Sequence, residues 1–179
     1  MRLLILADID AFTWTGPSQP ATLVVSCGDV YDPVILGAAK ACSAAQIVAV
    51  KGNHDVPSAF PPPITDLHLK VVTLANGMRI GGFNGSWRYK PKGSFLYSQD
   101  EASTLVQQLP AVDILVAHNS PAGVHERDAD THQGFAALTD YIRRHSPRLL
   151  IHGHQHADRE TVVGGTRVVG VYGSMVIDV

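Results

Sequence analysis

The sequence predicts an α/β fold, and three observations carry that prediction. Short apolar runs rich in branched residues recur at 3–7, 22–27, 47–50, 113–117 and 149–151. These runs are apolar throughout rather than alternating, which is the pattern of parallel strands buried on both faces. Between them lie helical patterns with recognisable start and stop signals.

The first strand, 3–7, ends on Asp8-Ile9-Asp10, and residues 11–21, with Gly16, Pro17 and Pro20, form a loop in which Trp14 is a packing residue. The second strand, 22–27, ends on Gly28-Asp29-Val30-Tyr31-Asp32. A helix then starts with Asp32 as N-cap and Pro33 at its first position, and its alanine-rich body, 36–44, leads into the strand 47–50. That strand ends on Gly52-Asn53-His54-Asp55. Four prolines between 57 and 63 exclude regular structure there. Residues 70–73 and 78–83 flank Asn76-Gly77 and read as a hairpin, followed by a loop at 84–95. Ser98 and Glu101 form a capping box that opens a helix to Leu109. The strand 113–117 ends on His118-Asn119-Ser120-Pro121. A helix over 134–145 carries Phe135, Leu138 and Ile142 on one face and stops before Pro147. The strand 149–151 ends on His152-Gly153-His154-Gln155-His156. Residues 161–163, 166–171 and 175–179 complete the chain as an antiparallel set with Gly164-Gly165 as a tight turn. There is no repeat, linker or low-complexity segment, so residues 1–179 read as a single domain.

Composition narrows the function classes. A net charge of −2 gives no support to sequence-independent duplex binding. Two cysteines, Cys27 and Cys42, are no disulfide framework and fit a reducing, cytoplasmic setting. No apolar run reaches membrane-spanning length, and Asp8 and Asp10 interrupt the apolar start too soon for a signal peptide.

The informative residues stand directly behind the apolar strands: Asp8 and Asp10, Asp29, Asn53 and His54, His118, then His154 and His156. Side by side in one parallel sheet, these strands would bring every one of those groups to a single edge, where open α/β sheets place their ligands. Each residue has a plain alternative as a turn, cap or surface group, but five coincidences at five strand ends outweigh it. Carboxylate, carboxamide and imidazole donors without thiolate suit two divalent ions, Mn²⁺ first, with Fe or Zn²⁺ next. Two ions ~3.5–4 Å apart can hold a hydroxide and clamp a phosphoryl group during in-line displacement. Asp29, central in the set, is the natural bridge, and His54 is placed to protonate a leaving-group oxygen.

Gly28-Asp29, Gly52-Asn53-His54-Asp55, His118 and Gly153-His154-Gln155-His156 resemble the motif set of the calcineurin-like metallophosphoesterases. The resemblance runs from Asp8 to His156. It implies two mixed β-sheets packed as a sandwich and flanked by helices. It implies one metal on Asp8, Asp29 and His156, and a second on Asp29, Asn53, His118 and His154. It also implies a catalytic His54 oriented by Asp55. The family's first motif is Asp-x-His, where this chain has Asp8-Ile9-Asp10. Asp10 either supplies a carboxylate in place of the imidazole or points away.

The expected activity is hydrolysis of a phosphodiester or phosphomonoester by a metal-bridging hydroxide, the diester preferred because the chain leaves no length for a large cap. The alternatives are a catalytically silent binding scaffold and a nuclease subunit. The expected partner is a small phosphoester, with nucleic acid not favoured and no membrane. Arg88 and Lys90 in the Trp87-Arg88-Tyr89-Lys90 cluster are candidates for substrate contact, as is His125. His132, also on the loop after His118, reads as a surface residue, and His152 as packing or support for the site.

Overall fold

The computed structural model describes residues 1–127 and 130–179. Thirteen strands and three α-helices follow one another as β1 (Arg2–Ala7), β2 (Leu23–Ser26), α1 (Asp32–Ala41), β3 (Gln46–Ala49), β4 (Thr65–Asp66), β5 (Val71–Thr73), β6 (Arg79–Phe83), β7 (Ser86–Trp87), β8 (Leu96–Tyr97), α2 (Gln99–Val106), β9 (Ile114–Ala117), α3 (Ala136–His145), β10 (Leu149–His152), β11 (Arg159–Val163), β12 (Thr166–Gly170) and β13 (Gly173–Asp178). Two large mixed sheets result, with orders β13-β1-β2-β3-β4 and β11-β12-β10-β9-β6-β5. This is the expected α/β sandwich.

Side-chain alternation along buried strands builds the layers. Leu3, Ile5 and Ala7 of β1 meet Ile114 and Val116 of β9 and Leu149 and Ile151 of β10 in one core between the sheets. Leu4 and Leu6 turn the other way and pack under Val34, Ile35 and Ala38 of α1. On the far side, Leu115, Ala117 and Leu150 pack under Ala102 and Val106 of α2 and Leu138, Tyr141 and Ile142 of α3. Both faces of each sheet are therefore covered, which is why the central strands read as apolar throughout. Among the described residues no helix is long and apolar enough to cross a membrane.

The structure corrects several sequence-based expectations. The five strands that carry the polar motifs do not form one sheet. β1, β2 and β3 lie in the first, and β9 and β10 in the second. Their carboxyl ends still meet, because the sheets are packed face to face. The closing antiparallel set also divides: β11 and β12 form a hairpin in the second sheet, β12 running parallel to β10, while β13 crosses to pair antiparallel with β1. Asp32 is not the N-cap of α1. That position is Tyr31, which has no side-chain cap, and the Asp32 carboxylate faces Lys51 Nζ at 3.5 Å. The capping box of α2 is formed, with Ser98 Oγ accepting from the Glu101 amide and Glu101 accepting from the Ser98 amide. That helix stops at Val106, short of Leu109, and α3 begins at Ala136, after Gly134. In the Asn76-Gly77 turn only Gly77 has a positive φ, of 83°.

Candidate metal centre

Three of the five polar motifs leave their strands through turns with left-handed backbone. Asp8 and Asp29 both have φ of 53°, His154 has 63° and His156 has 48°. The left-handed region is uncommon for residues with a Cβ, and its concentration here marks backbone held in place for function. The turns aim side chains from both sheets at one point. Asp8, Asp29 and His118 each offer a ligand atom within 4.8 Å of the others. Gly52 leaves the space they occupy: a Cβ there would run into Asp29 Oδ1 and come within 2.7 Å of His118 Cε1.

The hydrogen bonds define what each ligand atom can do. His118 Nδ1 donates to the Cys27 carbonyl at 2.9 Å, which leaves Nε2 facing two oxygens, Asn53 Oδ1 at 3.1 Å and Asp29 Oδ2 at 3.3 Å. A ring nitrogen between two acceptors must carry a proton or an electrophile. His154 Nε2 donates to the Thr131 carbonyl at 2.9 Å, so its lone pair sits on Nδ1. Asp8 Oδ2 accepts from the His154 amide at 2.8 Å. Asp8 Oδ1 is buried with no hydrogen-bond partner among the described residues, and His156 Nε2 lies 3.5 Å from it. A buried carboxylate oxygen left without a donor is costly. A divalent cation would resolve both the orphaned oxygen and the crowded His118 nitrogen, and the donor set of oxygen and imidazole fits a hard or borderline ion. Cys27 is fully buried, and burial together with Asp8 pushes its thiol above the ordinary range, so its carbonyl rather than its sulfur serves the site.

Without a metal, the central pair holds itself together by charge. Burial alone would strip the proton from His118, but the Asp29 carboxylate and its hydrogen bond hold the imidazolium up to about 9. Burial alone would raise Asp29, and His118 with the His54 amide holds it down at about 2. Because the folded His118 value lies above its ordinary 6.5, its contribution to stability is complete below about pH 6.5 and is lost as pH rises through about 9. Asp29 has the opposite sense, with stability complete above 3.8 and lost as pH falls through about 2. Chelator-treated protein should therefore melt at progressively lower temperature from pH 6.5 to 9, and added Mn²⁺ should flatten that decline. A metal-free melting temperature independent of pH across that window would contradict the pairing. Burial holds His154 down at about 3, so its ring is neutral and its lone pair available.

Two adjoining cavities open on this centre. The larger, about 390 Å³, is lined by Asp8, Asp10, Asp29, His54, Asp55 and His156 together with Ile9, Val30, Tyr31 and Tyr172. The smaller, about 210 Å³, is lined by Asp29, Asn53, His54, Tyr89, Thr131, His132, His154 and His156. Asp29, His54 and His156 border both. Asp10 is exposed on the larger one and stands outside the Asp8-Asp29-His118 cluster.

Asp55 differs from its expected part. Its Oδ2 accepts from the amides of Gly52 at 2.7 Å and Asp29 at 2.9 Å, so it ties two motif loops together rather than orienting the His54 ring. Arg88 is anchored on Glu101 at 2.6 Å and on the Leu96 carbonyl, and lines neither cavity. Lys90 lies over the Tyr89 ring, 5.1 Å from its centroid, and also lines neither. His125 turns inward instead, with Nδ1 donating to His152 Nε2 at 2.9 Å and Nε2 accepting from the Thr161 hydroxyl at 2.9 Å. His152 is fully buried and donates from Nδ1 to the Gly153 carbonyl, so it braces the loop of His154 and His156 from behind.

Sequence reasoning missed several participants. His132 is half-buried in the smaller cavity, its ring 5.1 Å from that of His154 and 5.6 Å from that of His156. Tyr89 OH accepts from Asn53 Nδ2 at 3.4 Å, an arrangement that turns the Asn53 oxygen toward His118. Gln155 Nε2 reaches Ser120 Oγ and the His132 carbonyl, each at 2.9 Å, and joins the two histidine loops. Gln155 lies within a strand-end motif and Tyr89 and His132 on loops already noted, but their parts depend on contacts between distant loops, for which periodicity offers no signal.

Fold and site together define a class: an α/β sandwich that gathers carboxylate, carboxamide and imidazole donors at one edge for a divalent metal. The chain matches the family model of the calcineurin-like phosphoesterase superfamily domain over residues 1–176, and it belongs to that superfamily. A search of curated proteins gave no match. Solved structures share the fold at low identity. TT1561 of Thermus thermophilus aligns with a TM-score of 0.60 and 14% identity, over 86% of this chain and 77% of its own. The phosphopantetheinyl hydrolase PptH from Mycobacterium tuberculosis aligns at 0.56 and 15%, over 96% and 89%. Vps29 from Entamoeba histolytica, solved in complex with Zn²⁺, aligns at 0.51 and 14%, over 97% and 74%.

Proposed function

We propose that this protein is a two-metal phosphoesterase acting on a phosphodiester in preference to a phosphomonoester. The observation that carries the reading is the buried Asp8 Oδ1 without a donor, in a cluster where Asp29 and His118 offer atoms within 4.8 Å. Asp8, Asp29 and His156 would hold one ion, and Asp29, Asn53, His118 and His154 the other, with Mn²⁺ our first choice. Bound ions would supply Lewis-acid stabilisation of phosphoryl charge and a water of lowered pKa.

The chain's own residues do the rest. Asp29 spans both ligand sets, held by the His54 amide on Oδ1. Asp55, through its two amide bonds, keeps the Asp29 and Gly52 loops in register. The His54 side chain is exposed at the border of both cavities, and for a substrate seated there it would give its proton to the leaving ester oxygen as the bond to phosphorus breaks. Two cavities meeting at Asp29 and His54 leave room for a group on each side of the phosphorus, which favours a diester. The partner is a small phosphoester rather than a duplex, and two buried free thiols support a cytoplasmic setting.

The test is hydrolysis of bis-p-nitrophenyl phosphate and p-nitrophenyl phosphate with added Mn²⁺. Turnover of the diester should require metal and fall roughly 10²–10⁴-fold in His54→Ala, the range expected for loss of a general acid. It should also collapse in Asn53→Ala. A folded, metal-loaded protein that turns over neither ester would sink the catalytic reading and leave a binding scaffold. Cleavage confined to DNA substrates would instead indicate a nuclease.

A further inference from the structure

The larger cavity has a character that metal binding alone does not require. Three aromatic rings are exposed beside it: Phe12 at 76%, Tyr31 at 44% and Tyr172 at 52%. Among the described residues these are the strongly exposed phenylalanine, tyrosine and tryptophan side chains. Tyr31 and Tyr172 line the cavity, and each is backed by a second ring. Phe12 stacks on Tyr31 with centroids 5.1 Å apart and planes 13° from parallel, and His156 lies 5.2 Å from Tyr172. Both tyrosines also stand on fixed backbone. The Tyr31 carbonyl accepts the first amide bonds of α1, from Val34 and Ile35, and the Tyr172 amide donates to Asp158 Oδ1 at 2.9 Å. Rings exposed to water yet pre-positioned suit a flat ligand, because little further ordering is needed on binding.

Charge narrows the ligand. The described lining includes the carboxylates of Asp8, Asp10, Asp29 and Asp55 and neither lysine nor arginine. Asp8 and Asp29 belong to the metal cluster and Asp55 Oδ2 is taken by the Gly52 and Asp29 amides, which leaves Asp10, exposed, as the carboxylate that faces whatever lies beyond the phosphoryl group. A second anionic group beyond the metal-held phosphoryl group, such as a carboxylate, would face Asp10 with no lysine or arginine of the described lining to offset it. A neutral group with a hydrogen-bond donor would find an acceptor.

We propose that the larger cavity holds one ester group of the substrate, and that this group is a flat, uncharged aromatic ring system lying against Tyr31 and Tyr172 with Asp10 accepting a hydrogen bond from it. The proposal rests on the phosphoesterase reading for its anchor, the phosphoryl group at the metal cluster. Phe12 acts through Tyr31, against which it stacks, while His156, one of the proposed metal ligands, packs beside Tyr172 in the same cavity.

The experiment reads binding rather than turnover. Phenylphosphonate and methylphosphonate, neither of which can be hydrolysed, are titrated calorimetrically into the Mn²⁺-loaded chain. Phenylphosphonate should bind about tenfold more tightly, the scale of one aromatic stacking contact. Tyr31→Leu and Tyr172→Ala should each remove most of that advantage and leave methylphosphonate affinity in place. 4-Carboxyphenylphosphonate should bind more weakly than phenylphosphonate. Equal affinities for the phenyl and methyl ligands, or equal losses for both in the tyrosine variants, would overturn the aromatic seat while leaving the phosphoesterase reading intact. Tighter binding of the carboxylated ligand would overturn the charge argument. If neither phosphonate binds to metal-loaded protein, the phosphoryl anchor is wrong and both readings fall.

Discussion

Asp29→Ala should abolish metal-dependent phosphoester hydrolysis, with a loss of at least roughly 10³-fold, since metal stabilisation of a phosphoryl transition state is worth several kcal/mol. The size follows from how many contacts end on one carboxylate. Oδ1 accepts from the His54 amide at 2.8 Å, Oδ2 faces His118 Nε2 at 3.3 Å, and the residue borders both cavities. Removing it takes a ligand from both proposed ions and strands a buried imidazole without its carboxylate. Asp29→Asn separates these effects, because an amide keeps an oxygen for the His54 amide but loses the charge. The asparagine variant should fold, should show metal affinity weakened by calorimetry, and should have near-background activity. Activity within about tenfold of the parent in either folded variant would refute a bridging role for Asp29.

Gly28→Ala should be the most damaging single methyl addition in the motif loops, costing roughly 3 kcal/mol, the combined scale of backbone strain and overpacking. Gly28 has φ of 94°, and a Cβ there would strike the Gly52 amide nitrogen and come within 2.8 Å of both Gly52 Cα and the Lys51 carbonyl carbon. Those are backbone atoms of the next motif loop, which Asp55 holds from the other side, so they cannot yield as a side chain would. Gly77→Ala is the control: its φ of 83° is also positive, but nothing lies within 4 Å of the added carbon, so only the strain of about 1 kcal/mol remains. Urea midpoints should rank parent, Gly77→Ala, Gly28→Ala in descending order. Equal midpoints for the two variants would show that the loops are looser than the packing implies.

The family was legible from the resemblance of its motifs, and the α/β class and the core of the site from short-range rules. A strand buried on two faces must be apolar along its length, so the strands of Leu3, Val24, Val48, Leu115 and Leu150 announced themselves. Polar residues directly behind such strands sit at the sheet's carboxyl edge whatever the topology, which is why Asp8, Asp29, Asn53, His118, His154 and His156 could be grouped without a structure. The structure brings Asp8, Asp29 and His118 into one cluster and sets the others around it.

Local pattern thus specifies the α/β class, the strand ends and the donor types. How these parts are shared out is a matter of long-range packing. Division of the motif strands between two sheets depends on which edges pair, and β13 joins β1 from the opposite end of the chain by contacts that no local pattern encodes. The work of Asp55, Gln155 and Tyr89 depends on loops from distant parts of the chain arriving at hydrogen-bond distance. Arg88 looked like a phosphate contact and is held instead by Glu101 on the capping turn of α2, because a guanidinium takes the nearest well-placed carboxylate. Composition and periodicity specify which groups a chain can offer, and packing of the two sheets sets which of them face one another.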